Sequence, residues 1–324
     1  MRSLGGEASG GEETGPHFGL YRKEVEAFVK PAWFEYYAPR SLDEALRILD
    51  EAGADGRVLA GGQSLMPMLN LRILSPATVV DINRIEPLNR LHAGANSLTV
   101  GALVRHADLL RSPDVRTGWP LLWEATTQVA HMAIRNRGTV CGSVSHNDPA
   151  AEHPSVLVAM DGVVVIASAA GRRELPAEAF FTGMLSNALE PGEMVVELRY
   201  PRPPTGTGTA FVEFARRLGD FAIAGAAATL TMRNGVCEKA RLIIVGMGEG
   251  PFRARAAEEA LTSRRLSHKE FGDAFAEAAA KVVAAIDPTD DVHASSSYRR
   301  HLAGVMTTRA LEAALARTGG QRVG

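Results

Sequence analysis

A short apolar run, Arg57-Val58-Leu59-Ala60, stops on two adjacent glycines, Gly61 and Gly62, and the chain resumes with Gln63 and Ser64. Few features constrain a fold more. A residue without a Cβ can take positive φ and lets another group come against the main chain. Successive N–H groups in such a turn form a concave nest that suits an anion. The context is a run of regular elements. Ser41 and Glu44 form a capping box, Leu42, Ala45, Leu46 and Leu49 make one helical stripe, and Gly53 is a stop signal. Residues 77–82 read as a second buried strand. Helix, strand, glycine turn, strand is an α/β pattern. The turn is neither a GxGxxG fingerprint nor a phosphate loop ending in Gly-Lys-Ser/Thr.

A second glycine segment, Arg137-Gly138-Thr139-Val140-Cys141-Gly142-Ser143, repeats the idea inside a long stretch, 135–155, that reads as irregular. Two such segments could hold the two phosphates of one dinucleotide. Residues 119–133 read as helix, with Pro120 in its first turn. Residues 97–103, 161–168 and 193–201 read as strands, the last closed by Pro201. Residues 202–209 are rich in Pro, Gly and Thr and read as a linker between domains. Beyond them Asn234-Gly235 signals a hairpin, and 253–261, 268–286 and 303–316 read as helices. The second half is thus α+β, a small antiparallel sheet with a helical layer.

Composition narrows the function. The chain has 324 residues, 22% of them charged, and a net charge of −2. There is no basic block, so nucleic acid and membrane surfaces find no support as partners. Two cysteines, Cys141 and Cys237, cannot hold an iron–sulfur cluster or form a disulfide framework. A reducing, cytoplasmic setting fits them. No apolar run reaches the length of a membrane span. The first 24 residues are rich in Gly, Glu and Ser, lack a secretory apolar region and are expected to be disordered. His146, Asp148, Glu152 and His153 could be metal ligands, but Pro149 and Pro154 break any helical face between them, and no metal site is expected. Cys141 reads as a structural thiol, and His92, His106 and His131 as surface or helix-cap residues.

Several quoted stretches then become recognisable together. "AGGQSLMPMLNLRILSPATVVDINRI" and "IRNRGTVCGSVSHNDPAAEHPSVLVAMDG" are followed in order by "ELPAEAFFTG", "ALEPGEMVVELRYP", "FARRLGDFAIAGAAATL" and "SSYRRHLAGVMTTRAL". The chain from Val25 to Leu311 resembles the FAD-binding medium subunit of molybdenum hydroxylases, the xanthine dehydrogenase / carbon monoxide dehydrogenase family. The resemblance implies an α+β chain. Residues 25–203 would be a two-subdomain α/β FAD-binding domain of the PCMH/vanillyl-alcohol-oxidase type, divided near residue 83. Residues 210–318 would be a C-terminal domain with a three-stranded antiparallel sheet and helices.

The resemblance also implies a site. Ala60, Gly61, Gly62, Gln63, Ser64 and Leu65 would wrap the FAD pyrophosphate, with Thr139, Cys141, Gly142 and Ser143 as the second loop. Ala102 would lie beside them. Asp148 and Glu152 would stand on the ribose and adenine side, and Val129, Val195 and Phe221 at the flavin ring, with Phe221 as its cover. Cys141 replaces a usual glycine, so its turn is expected to differ or to be strained. Glu213 stands where many relatives carry Lys, and a carboxylate there would disfavour an anionic reduced flavin. No catalytic acid or base is implied in this chain. Molybdopterin and two [2Fe-2S] clusters would sit on partner chains, a large and a small subunit in a dimer of heterotrimers. Electrons would pass through FAD to an external acceptor. The alternative is a free-standing flavin oxidoreductase on the same fold. It would need a substrate pocket with its own proton donor, and no Ser/Glu or Tyr/Arg set clearly supplies one.

Overall fold

The computed structural model describes residues 30–266 and 271–319. The tail expected to be disordered lies outside these residues, as does the start of the helix expected from His268. The first unit is a parallel sheet of β1 (Glu35–Tyr37), β2 (Gly56–Leu59) and β3 (Thr78–Asp81), in the order β1-β3-β2. The helix Leu42–Ala52 connects β1 to β2 and buries Ala45, Leu46, Ile48 and Leu49. Ser41 Oγ accepts from the Glu44 N–H at 3.2 Å, while the Glu44 carboxylate accepts from the Arg40 N–H rather than from Ser41. Gly53, at φ 56, ends the helix by returning its N–H to the carbonyls of Asp50 and Leu49.

The second unit carries β4 (Leu91–Ala93), β5 (Ser97–Gly101), β6 (Val163–Ser168), β7 (Gly171–Pro176), the small pair β8 (Phe181–Gly183) and β9 (Ser186–Asn187), and β10 (Met194–Pro201). Five of these make an antiparallel sheet in the order β4-β5-β10-β6-β7. Pro120 opens the helix Pro120–Gln128, and the buried Trp119 before it donates its indole N–H to Tyr200 O at 3.0 Å. That helix ends sooner than its apolar pattern suggests, because Ala130 takes φ 40. Residues 135–155 are not irregular, as the Gly, Ser, Asn and Pro content suggested. They hold the helix Val140–His146 and the start of the helix Glu152–Ala159. Thr139 caps the first, its Oγ1 accepting from the Gly142 N–H at 3.1 Å, and Asn147 ends it in the left-handed region.

The third unit is an antiparallel sheet of three long strands, β11 (Thr207–Phe214), β12 (Ala224–Arg233) and β13 (Val236–Val245), with the two-residue β14 (Phe252–Arg253) at its edge. Asn234 and Gly235 turn β12 into β13 at φ 51 and 77, as a type I′ turn requires. Helices Arg255–Leu261, Phe271–Ala285 and Ser296–Ala316 cover it. The last starts well before Ala303, because Ser295 caps it and accepts from the Tyr298 N–H. The sheet is buried on both faces. Phe211, Ala227, Ile243 and Val245 join the core of the N-terminal half, while Ala226, Ala228, Leu242 and Ile244 pack under the C-terminal helices. The run of alanines in β12 lets helices Glu152–Ala159 and Ser296–Ala316 approach it from opposite sides.

Candidate functional site

The two glycine segments lie back to back. A Cβ on Gly61 would fall 2.6 Å from Arg137 O and 2.8 Å from Gly138 Cα, inside van der Waals contact with main chain. Gly62 needs its freedom for a different reason, a φ of 72. Asn83 Nδ2 donates to Ala60 O at 2.8 Å, and Arg105 Nη2 donates to Asn83 Oδ1 at 2.6 Å. Arg105 also donates to Arg137 O, so one arginine ties the first segment to the second. Among the described residues no acceptor in the fold meets the N–H groups of Gly61, Gly62 and Gln63.

These segments form one wall of a cavity of about 860 Å³. It brings together all the residues expected at the flavin except one. Ala60, Gly61, Gly62, Gln63, Ser64, Leu65, Ala102, Val129, Thr139, Cys141, Gly142, Ser143, Asp148, Glu152, Val195 and Phe221 all border it. Glu213 does not. The N–H of Ala102 donates to Val196 O at 3.0 Å, which sets Ala102 beside Val195 at the join of β5 and β10. Asp148 caps the turn before Glu152, its Oδ1 accepting from the Ala150 N–H at 2.9 Å. Phe221 stands at the cavity with 71% of its surface exposed.

Cys141 is not strained. It is helical, so a Cβ costs nothing there, and its buried Sγ donates to Val100 O at 3.5 Å. Burial pushes the thiol well above its usual range, which removes any thiolate chemistry. His106 is no surface residue. It is buried, borders the cavity, and its Nδ1 lies 2.9 Å from Nε2 of the buried His153. Burial beside Arg135 and Arg105 lowers His106 to about 4, and burial beside His106 also holds His153 well below its usual range, so both imidazoles are neutral. Nothing in the sequence marked this pair: a histidine opening a helix reads as a cap, and its partner is 47 residues away. The wall supplied by residues 185–194 was also missed, because its Pro191-Gly192 turn reads only as the lead into a strand. Asn147 and Asn187 fix that wall, Asn147 Nδ2 donating to Gly183 O at 2.7 Å and Asn187 Nδ2 to Ser145 O at 2.6 Å. Among the described residues no three His, Cys, Asp or Glu side chains converge as metal ligands.

Burial, reinforced by repulsion from Glu213, raises Glu152 to about 8, and burial raises Glu213 to about 7. The site therefore offers free N–H donors, close-approach glycines, a cavity of cofactor size and acidic groups that burial holds toward their neutral form. That set fits a dinucleotide whose pyrophosphate lies on the backbone and whose ring lies between apolar walls.

The class defined by this fold and site is that of flavin-binding dehydrogenase domains. The family model for the FAD binding domain in molybdopterin dehydrogenase matches residues 32–203, and that for the CO dehydrogenase flavoprotein C-terminal domain matches residues 209–314. The 6-hydroxypseudooxynicotine dehydrogenase complex subunit alpha of Paenarthrobacter nicotinovorans is 40% identical over 89% of this chain and 97% of its own length. The carbon monoxide dehydrogenase medium chain of Hydrogenophaga pseudoflava is 36% identical over 89% of this chain and 99% of its own. A solved carbon monoxide dehydrogenase from Hydrogenophaga pseudoflava that lacks the Mo-pyranopterin moiety of its cofactor contains a chain that superposes with a TM-score of 0.85, at 37% identity, over 89% of this chain and 99% of that one. The chain belongs to the family of FAD-binding medium subunits of molybdenum hydroxylases, and is a flavoprotein subunit of an oxidoreductase. Among the described residues no helix is long and apolar enough to cross a membrane.

Proposed function

We propose that this chain is the electron-transfer flavoprotein of a cytoplasmic molybdenum hydroxylase complex, taking electrons from iron–sulfur clusters on a partner subunit and passing them to an external acceptor. One observation carries this reading: the glycine turn at residues 61–63, locked against the second segment by Gly61 and Arg105, presents unengaged N–H donors to a cavity of about 860 Å³ that both segments border. Bound FAD supplies the redox chemistry, the exchange of electrons between a one-electron donor and an acceptor. The chain's own task is to hold and tune it. Residues 60–65 bind the pyrophosphate through main chain, and the capped turn at Thr139, Cys141, Gly142 and Ser143, whose Gly142 and Ser143 N–H groups Thr139 already holds, closes the wall beside them, so Cys141 in place of glycine removes no donor. Ala102, Val129 and Val195 form the apolar walls, Phe221 covers the ring, and Asp148 and Glu152 stand at the sugar side.

The partners in this reading are an iron–sulfur small subunit and a molybdopterin large subunit, assembled as a dimer of heterotrimers. The two cysteines support this division of labour, since both are buried and neither can share a cluster. The test is a visible absorption spectrum of the tagged chain purified gently from its own host. Flavin bands overlaid on broad iron–sulfur absorption are expected. Flavin bands alone would favour the free-standing flavoenzyme, and a preparation without flavin would overturn the reading.

A further inference from the structure

Glu152 and Glu213 come from different halves of the chain, Glu152 on a helix that packs on the sheet to which Glu213 belongs. Glu152 opens the helix Glu152–Ala159, its side chain buried at the cavity wall. Glu213 lies on β11 two residues after Phe211, hence on the same face, the one turned to the N-terminal core. Its cross-strand neighbour is Gly225, and beyond that stands Val245. A Cβ on Gly225 would reach 3.2 Å from Glu213 Cβ, so the glycine leaves the room in which the carboxyl sits. The Gly246 N–H donates to Pro149 O at 3.0 Å, which pins the end of this row to the turn just before Glu152.

Neither carboxyl has a cation. Among the described residues no ion pair involves Glu152 or Glu213, and Glu213 Oε2 is buried without a hydrogen-bond partner. The groups that face the pair do not supply one. Asp148, on the preceding turn, adds repulsion. Across the cavity His106 is neutral, and Glu193 is held by Arg173 at 2.6 Å. His146, Arg57, Glu190 and Asp220 border the same cavity. On the sheet side Gly225 and Val245 carry no charge. Arg299 reaches the nearby carbonyls of Ile223 and Gly246 but is paired with Asp291 at 2.5 Å. Two carboxylates without a cation, Glu152 buried and Glu213 with its Oε2 shut off from water, cannot both stay ionised at low cost.

We propose that Glu152 and Glu213 form a proton-holding acid pair across the domain boundary, which at neutral pH presents a neutral carboxyl to the bound cofactor and turns anionic only in mild alkali. This deepens the flavoprotein reading and rests on it for the identity of the cofactor. The proton comes from solvent and returns to it. The direction of both carboxyls agrees, Glu152 raised to about 8 by burial and then by the Glu213 charge, and Glu213 to about 7 by burial. A group raised on folding binds its proton more tightly in the native state. The pair therefore costs stability as pH climbs from the ordinary carboxyl range toward 8, and no more above it.

The test uses the full chain, as wild type, Glu213→Gln, Glu152→Gln and the double variant. Infrared spectra between pH 5 and 9 should show a protonated-carboxyl band in the wild type at pH 7 that the double variant lacks. In Glu213→Gln the remaining carboxyl should titrate at lower pH, since its like-charged neighbour is gone. FAD affinity, read by flavin fluorescence, should weaken about tenfold from pH 6 to 9 in the wild type and stay flat in the double variant, one pK unit of coupling being one factor of ten. A wild type without the band at pH 7, or a double variant that keeps the wild-type pH slope, overturns the proposal. If Glu152→Gln does not fold, Glu213→Gln alone decides it: an unmoved titration refutes the pair. A chain that shows the band but binds no FAD at any pH would leave the pair standing and refute the flavin reading instead.

Discussion

The two glycine segments look alike in sequence and solve different problems. The first, at Gly61 and Gly62, is a turn out of a strand. One of its glycines is there because another stretch of main chain touches it, the other because φ is positive. The second, from Gly138 to Ser143, is the capped start of a helix, where backbone angles are ordinary and only space is at issue. The difference explains why a cysteine stands in the second segment without strain and would be impossible at Gly61. A glycine-rich motif therefore says that main chain is approached, but not by what.

Three substitutions test this contrast. Gly61→Ala should be the worst, because main chain cannot swing aside as a flexible side chain can. We expect a loss of about 3 kcal/mol in urea unfolding, together with the loss of FAD binding. Near-wild-type stability would show that the segments are not locked. Gly62→Ala should cost about 1–2 kcal/mol, the penalty of a left-handed alanine, since its Cβ would meet only the side chains of Leu59 and Met66. An effect equal to that of Gly61→Ala would erase the distinction between them. Cys141→Gly should cost about 2 kcal/mol, mostly the lost burial of its side chain and a few tenths through helix propensity, and leave FAD affinity unchanged. A gain in stability would mean that Cys141 is strained after all.

Much of the fold was legible because local signals agreed with the final packing. Ser41 and Gly53 bound their helix, Pro120 opens another, and Asn234-Gly235 makes its hairpin. The failures cluster where a tertiary partner outweighs composition. The stretch 135–155 reads as loop, yet Thr139 caps one helix in it and the sheet of the C-terminal half receives the other. Ser295 starts the last helix ahead of its apolar pattern. At the site, the resemblance brought together the backbone donors and apolar walls. It had no means of finding His106 against His153, a contact between two residues each ordinary in its own neighbourhood. Nor could it show that Glu213 does not border the cavity, since that depends on which face of β11 the carboxylate takes.

One contact described by neither motif bears on how the chain reaches this state. Glu124, on the helix after Trp119, accepts from the Phe211 N–H and from the guanidinium of Arg317, partners 87 and 193 residues later. On the ribosome its carboxylate can meet the Phe211 N–H first and gains its guanidinium only once Arg317 has been made. The N-terminal half can collapse early, but its seam with the C-terminal half closes only when Arg317 has emerged. A contact of such sequence separation is costly to close early, which favours assembly domain by domain.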